Sequence, residues 1–377
     1  TNFVFIVTKG NNSGAIVAEA IGGNGGNGGN GAGNIALGGD GGNAGTGGAV
    51  EVNNYAYLKT SGQNSAGIIA NSTGGNGGAG GSIGNEKTSG SSWGFSGRGG
   101  AGGSADLVKI KNLGLIKTLG DSSSGIIARS QGGSGGKSGD SYSKSLGLGG
   151  GAFNTAITQH VMFLGASGVA GNGADVTVDN GSADAMGTSV ISTHGNQSNA
   201  IDAESLGGNG GAGGAASIAA DGYLALAGDG GHAGVGSLVA VNNYAFLLTS
   251  GQNSAGIIAS SVGGTGGAGG SVGSKEAGDS KLGFGGRGGA GGDASQVTVK
   301  NLWSIETFGD GSSGIVARSQ GGSGGKSGDS YSKYVGIGGG LFDTTITKNI
   351  TWLGASSAGG NGADVTIDNG SADAMSA

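Results

Sequence analysis

The sequence predicts an all-β chain: a parallel β-solenoid of about six coils, with glycine-rich, polyglycine II-like extended excursions stacked beside it as a second layer. Three observations predict this fold. First, the chain repeats itself over 189 residues: Asn53-Asn54-Tyr55-Ala56 returns at 242–245, Gly125-Ile126-Ile127-Ala128-Arg129-Ser130-Gln131 at 314–320, and Val176-Thr177-Val178-Asp179-Asn180 at 365–369. Second, each long repeat holds three copies of a smaller unit, V-x-V-x-N, a spacer, T-x-G-x5-I-x-A-x-[SA]-x-G-G, then glycine-rich text. Third, 98 of the 377 residues are Gly, while Pro and Cys are absent. Fixed periods of this kind mark solenoids and arrays. The glycine content excludes a helical bundle, the missing proline excludes collagen, and the missing cysteine excludes a disulfide scaffold.

The strands follow from alternation. In V-x-V-x-N the two Val-type residues share one face, and Glu51, Lys109, Thr177, Ala240, Thr298 and Thr366 point to the other. In I-x-A-x-[SA] the Ile, Ala and Ser or Ala turn inward, with Arg129 and Arg318 among the outward residues. The inward Ile is Ile16, Ile68, Ile126, Ile201, Ile257 and Ile315, each six residues after the Gly of T-x-G. That Thr is Thr8, Thr60, Thr118, Thr193, Thr249 and Thr307, and a short strand leads into it. Three strands per unit make one turn of a parallel solenoid. The Asn closing V-x-V-x-N is Asn54, Asn112, Asn180, Asn243, Asn301 and Asn369. It is expected at a left-handed bend, with the six amides bonded in a ladder. The coils form two super-repeats, 1–188 and 189–377, in one continuous solenoid, and six coils at about 4.8 Å stack to about 30 Å.

Each glycine-rich excursion carries one apolar-small-apolar triplet: Ile35-Ala36-Leu37, Trp93-Gly94-Phe95, Leu146-Gly147-Leu148, Leu224-Ala225-Leu226, Leu282-Gly283-Phe284 and Val335-Gly336-Ile337. A flexible linker has no reason to keep such a triplet. The excursion reads as a glycine leg going out, a short strand and a glycine leg returning. Only the third residue of each G-G-x triplet projects, so the legs can lie side by side, held by Cα–H···O contacts and backbone bonds.

The segment Gly125–Gly136, with its versions at 67–78, 256–267 and 314–325, resembles the glycine-rich repeats of bacterial autotransporter-type passenger proteins. The resemblance covers essentially the whole chain. It implies a type V secreted, extracellular chain at the bacterial cell surface, with a role as adhesin or in a fibre or filament, and a host or cell-surface glycan as a partner.

No reaction is expected, and no catalytic, cofactor or metal residue is assigned. Gly132-Gly133-Ser134-Gly135-Gly136-Lys137-Ser138, repeated at 321–327, approaches a phosphate-binding loop but has Gln131 and Gln320 where the first Gly belongs, and no helix follows. Gly359-Gly360-Asn361-Gly362-Ala363-Asp364-Val365 opens like a calcium-binding nonapeptide, yet Thr366 takes its apolar place. His160, His194 and His232 share no ligand spacing, and the 24 acidic residues are too scattered for the grouped carboxylates of a polysaccharide-cleaving solenoid. Tyr142 and Tyr331, in Ser-Tyr-Ser-Lys segments beside Asp140 and Asp329, either pack over their own legs or meet a glycan. The alternative to a structural role is a glycan- or ice-binding face, for which T-x-G offers a single Thr row. The net charge of −6 argues against nucleic acid, and no apolar run is long enough to cross a membrane. Phe3-Val4-Phe5-Ile6-Val7 is apolar, no stretch resembles a capping helix, and the text at 371–375 repeats that at 182–186. The expectation is a stack that continues, either in a longer chain or by end-to-end or lateral self-association.

Overall fold

The structure is a computed structural model that describes residues 1–33, 35–83, 93–143, 146–148, 167–218, 224–272, 282–329, 335–337 and 357–370. It is a parallel β-solenoid with four six-stranded sheets. Sheet I stacks Ile6–Thr8, Leu58–Thr60, Ile116–Thr118, Val190–Thr193, Phe246–Thr249 and Ile305–Thr307. Sheet II stacks Ile16–Ile21, Ile68–Thr73, Ile126–Gln131, Ile201–Leu206, Ile257–Val262 and Ile315–Gln320. Sheet III is built from the six excursion triplets, Ile35–Leu37 through Val335–Ile337. Sheet IV stacks Val50–Asn54, Val108–Asn112, Val176–Asn180, Val239–Asn243, Val297–Asn301 and Val365–Asn369. The chain visits the sheets in the order I, II, III, IV and then starts the next coil, which defines coils 1 to 6. Ser141–Ser143 and Ala216–Ile218 add a two-stranded sheet, and Ala183–Ala185 is the one helical turn among the described residues.

Register is set by identity of residue type. Ile16, Ile68, Ile126, Ile201, Ile257 and Ile315 stand one above another, as do the six Thr of T-x-G. A slip of one residue would turn every apolar side chain outward, so the alternating pattern locks the stack. Between sheets I, II and IV runs a continuous core of Val, Ile, Leu and Ala. Ile68, Ile126, Ile201 and Ile257 are fully buried, each burial contributing about 1.5–3 kcal/mol. At the ends the rungs open: Ile6, Ile16, Ile305 and Ile315 are half-buried, and Val365 and Ile367 are exposed.

One expectation needs correction. The ladder Asn residues end strands and are not left-handed. Beside the ladder, only the glycines that follow Asn180 and Asn369, Gly181 and Gly370, are left-handed among the described residues. The left-handed bend that recurs in every coil lies four places after the Thr of T-x-G: Asn12, Asn64, Ser122, Gln197 and Asn253 at φ 52–55°, and Gly311 at 70°. The residue that follows each of these explains the bend. Ser13, Ser65, Ser123, Ser198 and Ser254 donate their N–H to the Ser Oγ of the next coil, at 2.9–3.0 Å. Thr8, Thr118, Thr193 and Thr249 close the turn by donating Oγ1 to the carbonyl of the same Ser, at 2.5–2.7 Å.

The Asn ladder itself is present and one member longer than expected. Nδ2 of Asn2, Asn54, Asn112, Asn180, Asn243 and Asn301 donates to Oδ1 of the next Asn, ending on Asn369, at 2.7–2.8 Å. The second amide hydrogen goes to the backbone two residues on, as from Asn54 to Ala56 O and from Asn243 to Ala245 O. Because Asn54, Asn112, Asn180 and Asn243 are fully buried, an unmade bond would cost about 1–3 kcal/mol per group.

Among the described residues the glycine legs are held by a regular set of backbone hydrogen bonds, which a flexible linker would lack. In the outgoing leg the first residue of a triplet bonds the same leg of the next coil, as Gly25 N–H to Asn76 O at 2.9 Å and Gly28 N–H to Ala79 O at 2.8 Å. The second bonds the returning leg of the coil before: Gly75 to Gly45, Gly78 to Gly42 and Gly81 to Gly39, at 2.8–3.0 Å. The third faces outward, and its N–H is taken by a side chain of the preceding coil, as Asn76 N–H by Asn24 Oδ1 and Ala79 N–H by Asn27 Oδ1, at 2.8–2.9 Å. Where the preceding coil carries such a side chain, all three donors of a triplet are satisfied. The glycines are required by contact, since a Cβ on Gly25 would lie 1.8 Å from Gly42 O. Buried Ser hydroxyls join the two layers: Ser130 Oγ accepts from Ala174 N–H, and Ser205 Oγ accepts from Ser237 N–H and donates to Ala174 O.

Candidate functional surfaces

The residues singled out from the sequence are dispersed over the coils. The loop that approached a phosphate cradle has six of its seven N–H groups, all but that of Lys137, engaged in the glycine layer. Gly132, Gly133, Gly135, Gly136 and Ser138 donate to Leu206, Gly103, Asn209, Gly100 and Ala212 carbonyls, and Ser134 donates to Asn76 Oδ1. Lys137 Nζ pairs with Asp140 Oδ2 at 3.0 Å. The segment at 359–365 leads into Val365–Asn369, which pairs with Val297–Asn301. Among the described residues no three His, Asp or Glu side chains group as metal ligands.

His232 takes the place that Asn or Asp holds elsewhere in the glycine layer, its Nδ1 accepting from Ala290 N–H at 3.0 Å. His194 is exposed at the sheet I turn, and its backbone N–H donates to Thr118 O. His160 and Tyr331 lie outside the described residues. Tyr142 is central in Ser141–Ser143, paired with Ser217. Thr60, Thr118, Thr193 and Thr249 are fully buried, so this row cannot serve as an ice-binding array.

Two outward features were not read from the sequence. The first is on sheet II, where Val17, Ile69, Ile127, Asp202, Ile258 and Val316 form one outward row. The carboxylate of Asp202 therefore sits between the aliphatic side chains of Ile127 and Ile258. Burial pushes its pKa up to about 6, with Glu204 adding to the rise, while Arg129 and a hydrogen bond from Asn199 work against it. Its Oδ1 has no hydrogen-bond partner. Beside it Arg129 Nε and Nη2 both hold Glu204 Oε2, at 2.9 and 2.5 Å. Asp229 is similarly raised by burial, partly relieved by the N–H and guanidinium of Arg287.

The second feature is the corner between sheets IV and I. Phe3 stacks on Tyr55 with centroids 4.8 Å apart, and Phe5 lies 5.0 Å from Tyr57. Phe3 is 73% and Phe5 60% exposed. In coil 4 the corner is lengthened by residues 181–188, where Gly187 (φ 75°) lies against the Trp303 ring from two coils on. The signal was in the sequence, as aromatic residues one and three places after the ladder Asn, but it occurs in only some coils.

An open recess of about 580 Å³ lies at the coil 6 end, lined by Trp303, Ile305, Ile315, Ile367 and Asn369. It is the unfilled continuation of the core.

Neither family models, nor curated proteins, nor solved structures gave a match to this chain.

Proposed function

We propose that this chain is an extracellular structural repeat protein that builds a fibre, filament or adhesive layer at a bacterial cell surface and catalyses no reaction. One observation carries this reading. The polar side chains that recur in coil after coil bind the stack itself: the ladder Asn, the turn Ser and the Asn and Asp of the glycine triplets bond the neighbouring coil, and the Thr closes the turn that presents that Ser. Chemistry repeated in every coil and directed at the adjacent coil supports a material role. The resemblance to autotransporter-type passengers supports the surface location.

The test is immunogold labelling of intact and permeabilised cells with antibody against the purified chain. Labelling of intact cells along fibres is the expected result, and labelling only after permeabilisation would overturn it. Turnover of a polysaccharide, abolished by substituting a named carboxylate, would overturn the non-catalytic assignment. A second reading, a glycan-binding module, is favoured by the exposed Phe3, Phe5 and Tyr55 rings, since aromatic faces pack against the C–H faces of sugars. A glycan array with the Phe3→Ala/Phe5→Ala variant separates the two: binding lost in the variant supports the module.

A further inference from the structure

The outer side of sheet II carries three rows of side chains, and no described strand packs against it. The first row, which runs from Val17 to Val316, is aliphatic but for Asp202, and the third, from Ile21 to Gln320, is uncharged. The charges lie in the middle row: Glu19, Asn71, Arg129, Glu204, Ser260 and Arg318. From coil 1 to coil 6 their signs run minus, neutral, plus, minus, neutral, plus. The order repeats every three coils, and reversing the row inverts every sign in it.

That inversion decides what such a face can meet. Against a second copy turned end for end about an axis along the strands, coil 1 lies opposite coil 6, coil 2 opposite coil 5 and coil 3 opposite coil 4, and each row lies opposite itself. Glu19 then meets Arg318, Arg129 meets Glu204 and Asn71 meets Ser260, while in the first row Val17 meets Val316 and Ile69 meets Ile258. With the two stacks parallel, Glu19 would face Glu19 and Arg129 would face Arg129, which like-charge repulsion opposes. Among the described residues neither Glu19 nor Arg318 has an ion-pair partner within the chain, and Glu19 Oε1 accepts only the amide of Asn71, at 2.9 Å. Six strands at about 4.8 Å and six residues at about 3.3 Å make a face of about 600 Å², or about 1,200 Å² over two copies, the lower end for a stable interface.

We propose that the outer face of sheet II pairs with the same face of a second copy of this chain, the two stacks running antiparallel. The interface is isologous, so each charge pair occurs twice. The match holds for any stack built from this three-coil period. It rests on the structural-repeat reading, which it deepens by naming a lateral partner. Asp202 is the misfit: it lies opposite Ile127 of the second copy, and its carboxylate, whose Oδ1 has no hydrogen-bond partner in the chain, loses water there without gaining one.

The experiment is sedimentation equilibrium of the purified chain and its variants, each checked for an unchanged far-UV spectrum. The expected result is a monomer–dimer equilibrium with a Kd of about 1–100 µM, as suits a face of this size. Glu19→Arg and Arg318→Glu should each weaken the dimer by at least about tenfold, and the two together should restore it to within about threefold of the parent, because the pairs reform with their signs exchanged. Ile69→Lys should weaken it as well, and Asp202→Asn should tighten it. A chain that stays monomeric at about ten times that range, single reversals without effect, or a combined variant no tighter than the single ones would overturn the proposal. Surface labelling of cells without a dimer would overturn the pairing alone, and a dimer in a chain labelled only after permeabilisation would overturn the surface reading alone.

Discussion

Asn180 shows what a single side chain contributes to this fold. Its amide accepts from Asn112 and donates to Asn243, with no exposure to water. Asn180→Ala leaves one buried Asn112 amide hydrogen unpaired and Asn243 Oδ1 with only its bond from Ala245 N–H, for an expected loss of about 1–3 kcal/mol in chemical denaturation. Asn2→Ala, at the exposed end of the ladder, should cost about 1 kcal/mol. Asp202 is the opposite case, a residue that works against the fold. Its pKa rises from the ordinary 3.8 to about 6, so between those pH values the folded chain binds more protons than the unfolded chain. Stability from this group therefore falls as pH rises through that window and stays lowered above it. Asp202→Asn should remove this dependence and raise stability at pH 7 by about 2–3 kcal/mol, read as the variant-minus-parent difference in paired melts at pH 4 and pH 7.

For the glycine legs, the requirement is set by the distance between them. A methyl group on Gly78 would lie 2.1 Å from Gly26 O, and no rotation of a flexible side chain relieves it, because every neighbour is backbone. Gly78→Ala should therefore destabilise the chain by several kcal/mol. Asn76→Ala removes only the acceptor for Ser134 N–H at the exposed fringe and should cost about 0.5–1.5 kcal/mol. Thermal melts of the two variants give the comparison, and similar losses would mean that the legs are looser than their bonds indicate. On sheet II, Ile126 lies between Ile68 and Ile201. Ile126→Asp buries an unpaired charge there, and its expected cost is also several kcal/mol.

The whole stack holds together one neighbour at a time. Inner coils bond above and below, whereas coil 1 and coil 6 each lack one partner among the described residues and leave Ile16, Ile315, Val365 and Ile367 partly or largely open to solvent. Amide exchange should follow position along the stack and not sheet identity, with Ile116–Thr118 and Val176–Asn180 most protected and Ile6–Thr8 and Ile305–Thr307 least. Hydrogen-exchange mass spectrometry on dilute protein reads this gradient. Uniform protection would show a single cooperative block.

Much of this was legible in one sequence because a solenoid writes its contacts as repetition. The ladder Asn, the inward Ile and Thr and the six excursion strands could be placed from spacing alone, since a parallel in-register stack sets like residue upon like. The turn Ser was equally available, five residues after every Thr, but serine is common in glycine-rich text and its role appears only when its Oγ meets the N–H of the next coil. Only the tertiary structure decided that the left-handed bend of every coil comes four residues past the Thr and not at the ladder Asn, because the Ser–Ser bond that helps hold it reaches another coil. Only it revealed Asp202 among Ile127 and Ile258, which stand 75 and 56 residues away in sequence. Period and spacing record contacts between equivalent positions; contacts that differ from one coil to the next need the stack itself.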